Sequence, residues 1–146
     1  MLDKQPHTTY HREARLQAQC VLWYRNEWYS HPRSLWATFN EGQNVMAKNS
    51  SGLIPGVSDL LYHESWNRGL IGMEMKFPGE RHETARLISQ ATWIIEICNC
   101  GGFVDDFDMF KNIIKGEDCW IDPVKVLYYC QNIKSKTIEW NRDLFV

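Results

Sequence analysis

The sequence predicts an α/β fold with a mixed central sheet flanked by helices, and three observations carry that prediction. Residues 10–29 and 83–100 each repeat apolar side chains at helical spacing. Between them, residues 58–63 and 70–77 read as two strands around an Asn67-Arg68-Gly69 turn, the signature of a hairpin. A short apolar run follows the second helix, so the order is helix, strand, hairpin, helix, strand.

Taken in order, residues 1–9 read as a frayed end. In the first helix Leu16, Cys20, Trp23, Tyr24 and Trp28 form the apolar stripe, and Glu13 lies on its rim one turn earlier. His31-Pro32 ends that segment, because the residue before proline disfavours helix. Leu35 to Phe39 reads as a short strand, and Asn40 to Gly56, rich in Gly, Asn and Ser, as a loop. After the hairpin, Pro78-Gly79 breaks the chain. Leu87, Ala91, Ile94, Ile95 and Cys98 stripe the second helix, and Gly101-Gly102 is placed at its C-terminus. Phe103 to Asp105 is the next strand and Phe107 to Ile114 a short helix. A further helix follows Asp122-Pro123, where proline suits the first turn, and Thr137 to Trp140 forms a last strand. No repeat, low-complexity tract or linker interrupts the 146 residues, a length that fits one domain.

Composition narrows the function classes. A net charge of −2 counts against a module that holds nucleic acid by charge alone. It counts less against a nuclease, whose carboxylates are neutralised by divalent ions. Residues 1–90 hold 10 Lys/Arg against 9 Asp/Glu, and residues 91–146 hold 6 against 9, so a nucleic-acid face belongs with the first ninety. Five cysteines, an odd number, behind an N-terminus with no apolar core point to free thiols in a reducing, cytoplasmic compartment. The longest apolar run, Trp93 to Val104, is broken by Glu96 and Asn99 and is too short for a membrane span.

The chemistry is concentrated in the hairpin. Phosphodiester hydrolysis needs a deprotonated water, neutralised charge and an in-line arrangement, all of which hard divalent ions supply. Such ions ask for carboxylates on rigid elements. Asp59 opens the first hairpin strand, and Glu74 and Lys76 share one face of the second, with Met73 and Met75 on the other. An acid and an amine inside so apolar a strand must pair or bind something if they face inward. Glu74-Met75-Lys76 is the one triplet of this kind in the chain, fifteen residues after Asp59.

With these residues the chain resembles a family. The run Gly52-Leu53-Ile54-Pro55-Gly56-Val57-Ser58-Asp59-Leu60-Leu61, then Glu74-Met75-Lys76, then Ser89-Gln90-Ala91-Thr92-Trp93, resembles the virus-type replication-repair nucleases (VRR-NUC) of the PD-(D/E)XK superfamily. Asn40-Glu41-Gly42 and Gly101-Gly102-Phe103 fall where that family has its Asn-Gly loop and its post-helix strand. The likeness covers roughly residues 10–115, leaving about 116–146 as an extension. It implies a restriction-endonuclease-like αβββαβ core and Mg²⁺-dependent cleavage of DNA, with Mn²⁺ as a substitute. It also implies a role in phage or bacterial replication, repair or recombination, where some members act on branched structures as homodimers. Asp59, Glu74, the Met75 backbone carbonyl and Glu13 would hold metal. Lys76 would orient water and stabilise charge, and Gln90 would stand beside that lysine. Ser58 replaces the proline of the motif, and Gln43 stands where many members have Arg.

Lys48 and Arg81, each in a loop flanking the site, and Asn40 are the expected DNA contacts, chosen over Arg12, Arg15, His82 and Arg86. Rival readings stand beside these. Asp59, Glu74 and Lys76 could be a surface ion pair, Glu13 an exposed helix residue and Gln90 a solvated one. Cys98-Asn99-Cys100 with Cys119 and Cys130 lacks zinc-finger spacing and reads as buried thiols. His82-Glu83 reads as loop, and Asp105-Asp106-Phe107-Asp108 as a solvated turn and helix cap. At the level of function, the alternatives are a non-catalytic binding or assembly module and a Cys-based metal or redox protein.

Overall fold

Alternation along the hairpin sorts its side chains onto two faces, and a helical layer covers each. The computed structural model describes residues 9–28, 31, 34–38 and 57–146. Its elements are α1 (Thr9–Glu27), β1 (Leu35–Ala37), β2 (Leu60–Glu64), β3 (Gly69–Met75) and β4 (Arg81–Glu83). They continue with α2 (Thr84–Ile97), β5 (Cys100–Val104), α3 (Phe107–Ile114), α4 (Pro123–Asn132), β6 (Thr137–Glu139) and a 3₁₀ turn at Arg142–Phe145. The main sheet runs β1-β2-β3-β5, antiparallel across β1-β2-β3 and parallel between β3 and β5. This is a mixed α/β fold with a mixed sheet flanked by helices.

On one face, Leu60 and Tyr62 of β2, Ile71, Met73 and Met75 of β3 and Val104 of β5 meet Leu16, Cys20 and Tyr24 of α1. Met109, Phe110 and Ile113 of α3 complete that layer. The other face carries Leu61 against Ile94 and Cys98, and Phe103 packs with Leu87, Ala91, Val126 and Trp140. Each fully buried large apolar side chain contributes about 1.5–3 kcal/mol, so the two layers clamp β3 from both sides. β3 is buried from Ile71 to Met75 and forms the rigid floor of the fold.

The hairpin forms where expected, with Leu60 opposite Met73 and Glu64 opposite Gly69. Gly69 takes φ +72°, and a Cβ there would lie 2.4 Å from Asn99 Oδ1, whose carbonyl accepts from Leu70 N at 2.7 Å. Proline and Asp122 start α4 as anticipated, the carboxylate accepting from Val124 N at 2.9 Å.

Three expectations need correction. Gly101-Gly102 does not end a helix. α2 stops at Ile97, where Cys98 turns extended, and both glycines lie inside β5. Their smallness serves a close strand approach: Gly101, at φ +133°, pairs with Gly72, and a Cβ on it would sit 2.0 Å from Gly72 O. Residues 81–83 are strand β4, not loop; β4 pairs with β6 of the C-terminal extension as a second, two-stranded sheet. Asp105 is not solvated but buried, accepting from Trp140 Nε1 at 3.1 Å and paired with Arg142. Asp106 does cap α3, accepting from Met109 N at 2.7 Å. The five cysteines are all free, and Cys20, Cys98 and Cys130 are buried. Among the described residues no helix is long and apolar enough to cross a membrane. The expected frayed end (1–8) and the 40–56 loop lie outside the described residues.

Candidate active site

The open end of the hairpin, away from its turn, gathers the polar residues. Continuing the β2-β3 register sets Asp59, just before β2, directly across from Glu74. Two like charges in that position repel each other. Asp59 is held in place by the backbone: Met75 N donates to Asp59 Oδ2 at 2.8 Å, and Thr38 N donates to Asp59 O at 3.0 Å. The N–H and C=O of one strand residue point to the same edge, so the Met75 carbonyl is also directed toward Asp59.

Glu74 and Lys76 follow Gly72 on the α2 face, each with only 2% of its surface exposed. Gln90 of α2, also buried, links them. Its Nε2 donates to Glu74 Oε2 at 2.8 Å and its Oε1 accepts from Lys76 Nζ at 3.0 Å. Lys76 Nζ stands 3.7 Å from Glu74 Oε2 and 5.9 Å from the Phe103 ring centre. Glu74 Oε1 is buried and has no hydrogen-bond partner.

Electrostatics reports the crowding. Burial raises the Glu74 carboxyl well above its ordinary range, the neighbouring Asp59 charge adds to it, and Lys76 opposes it. Burial likewise raises Asp59, against the hydrogen bonding and charge of Glu74, Lys76 and Met75 N. A buried acid and a half-buried one that resist ionising together, with one lysine and one free oxygen, make a site whose charge balance improves when a cation enters.

Glu13 of α1 reaches the same place. Its Oε2 is 3.1 Å from His82 Nε2 of β4. Burial pushes Glu13 up, but its close approach to His82 and Glu80 and the nearby Lys76 charge outweigh it, and its carboxyl is lowered. Glu80, fully buried, is pushed up to about 9, first by burial and then by Glu13. Arg12 stands beside it without a hydrogen bond, its Nε 3.6 Å from Glu80 Oε2 and its guanidinium 5.0 Å over the Phe77 ring. Among the described residues, a cavity of about 650 Å³ opens over this group, lined by Glu13, Asp59, Glu74, Lys76, Arg81, His82 and Arg86 and walled by Ala14, Ala18 and Val21 of α1.

Thus Asp59, Glu74, Lys76, Gln90 and Glu13 come together from four parts of the chain. Arg81 borders the cavity from β4 rather than from a loop, donating through Nη1 to Thr137 Oγ1 at 2.9 Å. Lys48 and Asn40 lie outside the described residues. Sequence reasoning missed Glu80 as a site residue and took His82 for a loop residue. The available signal was their spacing: Glu80 and His82 are two apart, as residues on one face of a strand are.

No protein-family model, curated protein or solved structure matches the chain.

Proposed function

We propose that this protein is a divalent-metal-dependent DNA endonuclease with a restriction-endonuclease-like core, of the VRR-NUC type within the PD-(D/E)XK nucleases. The single observation that carries the reading is the Asp59–Glu74–Lys76 group facing a cavity, with Glu74 and Lys76 buried and bridged by Gln90 and one Glu74 oxygen unsatisfied. The αβββαβ order of the main-sheet elements supports it.

The donor set fits a hard cation. Asp59, Glu74, the Met75 carbonyl and, from the other wall, Glu13 offer oxygen ligands alone, the preference of Mg²⁺ and Mn²⁺. When bound, the cation supplies charge neutralisation at the phosphate and acidifies water at the site. The chain's own groups do the rest. Lys76 Nζ, fixed by Gln90, can orient a water and offset charge developing on the phosphate. The Met75 N–H keeps Asp59 turned toward the cavity. Arg81 at the cavity rim can contact phosphate, a contact that positions a strand without reading its sequence. Structure-selective cutting of branched DNA is what the family resemblance implies. A homodimer would place two such sites for two strands.

The test is a substrate panel of single-stranded, duplex, flapped and four-way DNA in EDTA, Mg²⁺ or Mn²⁺. Cutting that requires metal, favours a branched substrate and is lost in Asp59→Ala is the expected result. Cutting by Asp59→Ala at the wild-type rate contradicts the proposal. Tight binding without cutting in either metal would make the protein a non-catalytic module instead.

A further inference from the structure

We propose that Glu13, Glu80 and His82 form a second divalent-cation site, adjoining the Asp59–Glu74 pair through Glu13 but not requiring that pair, and selective for a transition-series ion such as Mn²⁺ over Mg²⁺. The site would hold whether or not the protein cuts DNA.

One ligand atom from each of these three residues lies within 4.8 Å of the other two. Metal–ligand bonds of about 2.0–2.2 Å place adjacent ligands roughly 3 Å apart and opposite ones somewhat over 4 Å. The 3.1 Å between His82 Nε2 and Glu13 Oε2 is already the adjacent spacing. Closing on an ion therefore needs side-chain shifts of no more than about an ångström or two.

A second observation is independent of that spacing. Glu80 has no exposed surface, and both of its carboxylate oxygens lack a hydrogen bond. Arg12 Nε, at 3.6 Å, is too far to donate one, and is itself without a hydrogen-bond partner. Glu13 Oε2 and His82 Nε2 are buried and lack hydrogen bonds too. Of the eight buried side-chain nitrogens and oxygens in that condition among the described residues, four belong to this trio. Buried polar atoms are ordinarily satisfied, so their concentration at one point marks a missing partner. Because the atoms are carboxylate oxygens and an imidazole nitrogen, that partner is a cation.

The three residues sit on supported backbone. Glu80 O accepts from Trp140 N at 2.7 Å, and Glu80 N donates to Phe77 O at 3.2 Å. The His82 ring meets the edge of Trp140, centroids 6.3 Å apart, and β4 is paired to β6. Glu13 and His82 line the cavity, which gives an ion its entry. The donor set decides the ion: affinity at an imidazole nitrogen belongs to the first transition series, which sets Mn²⁺ above Mg²⁺ here, whereas Mg²⁺ favours oxygen alone. The all-oxygen Asp59–Glu74 pair has no imidazole and takes Mg²⁺ or Mn²⁺.

Metal-stripped full-length protein is titrated with Mn²⁺ by calorimetry, with and without excess Mg²⁺, in wild type, His82→Gln, Glu80→Gln and Asp59→Asn. Circular dichroism checks that each is folded. We expect a Mn²⁺ site that survives excess Mg²⁺ and survives Asp59→Asn, and that weakens at least about 10-fold in His82→Gln and in Glu80→Gln. Electron spin-echo spectroscopy of the Mn²⁺-loaded wild type should show one histidine nitrogen on the ion, a readout that needs no variant. Wild-type Mn²⁺ affinity in both His82→Gln and Glu80→Gln, or no nitrogen on the ion, overturns the site. DNA cleavage in Mg²⁺ with no histidine-bound Mn²⁺ would remove this site and leave the nuclease reading standing. A histidine-bound Mn²⁺ in a protein that never cuts would do the reverse.

Discussion

The β2-β3 hairpin carries buried carboxylates at both ends, and the two ends treat them in opposite ways. At the turn end Glu64 faces Arg68 with both side chains nearly buried, 5% and 8% exposed. Arg68 Nε donates to Glu64 Oε1 at 2.9 Å and Nη2 donates to Glu64 Oε2 at 2.7 Å, a bidentate fork. Nη1 donates to Asp118 Oδ1 at 3.0 Å and Nη2 also donates to the Ile113 carbonyl at 2.5 Å. Every strong group is paired, and the Glu64 carboxyl is lowered by those bonds. At the open end two acids share one lysine and one amide, and an oxygen is left over. Saturation is what a structural ion pair looks like, and under-saturation facing a cavity is what a ligand site looks like.

If that contrast is right, substitutions at the two ends separate activity from stability. The largest effect belongs to the open end. Asp59→Ala or Lys76→Ala should lower DNA cleavage by at least about 100-fold, the scale of losing one group aimed at transition-state charge, and in Asp59→Ala, which removes one of two crowded acids, the melting temperature should move little. Next comes the turn end. Arg68→Ala leaves Glu64 buried and unpaired, which costs about 3–5 kcal/mol, a drop on the order of 10 °C by thermal unfolding. Cleavage per folded molecule should be unchanged. Smaller and of opposite sign is Glu74→Gln. It removes the repulsion from Asp59 and keeps the Gln90 contact, so the metal-free protein should gain on the order of 1 kcal/mol while cleavage falls. A loss of stability in Glu74→Gln would mean that Glu74 is a structural partner like Glu64.

The smallest effect is in the pH dependence, where the two ends oppose each other. Glu64 has a folded pKa below its ordinary 4.5, so its contribution is full above that value and fades as pH falls through the folded one. Glu74 has a folded pKa above 4.5, so in the metal-free protein it favours the fold at low pH and opposes it as pH rises through its folded value. Acidifying from neutral toward about pH 5 should therefore raise the melting temperature in wild type, and raise it less in Glu74→Gln, where the raised carboxyls of Asp59 and Glu80 remain. Below pH 4.5 wild type should lose stability more steeply than Glu64→Gln.

The two ends were not equally legible in the sequence. Alternation in 70–77 already put Glu74 and Lys76 on one face and the methionines on the other. That is a local period, readable from neighbours. Gln90 was placed beside the lysine only by the family resemblance, since the helical stripe of 83–100 leaves it at its rim. β4 was not readable, because Arg81-His82-Glu83 contains no apolar residue. Its pairing is supplied by β6, more than fifty residues later, and by Trp140 bonding to Glu80. The site's outer wall, with Glu80 and His82, was therefore missed. Arg68 was read only as a turn residue, since its partners Asp118 and the Ile113 carbonyl come from another part of the chain. Gly101-Gly102 was misread because glycine marks both helix ends and close strand contacts, and only the register with Gly72 separates the two.

The most direct measurement places the two ends side by side: single-turnover cleavage of a branched DNA in Mg²⁺ by wild type, Lys76→Ala and Arg68→Ala, at a temperature where circular dichroism shows all three folded. The account predicts fast cleavage by wild type and Arg68→Ala and cleavage slower by at least about 100-fold in Lys76→Ala. Equal rates for Lys76→Ala and wild type, or no cleavage by any of the three, would contradict it.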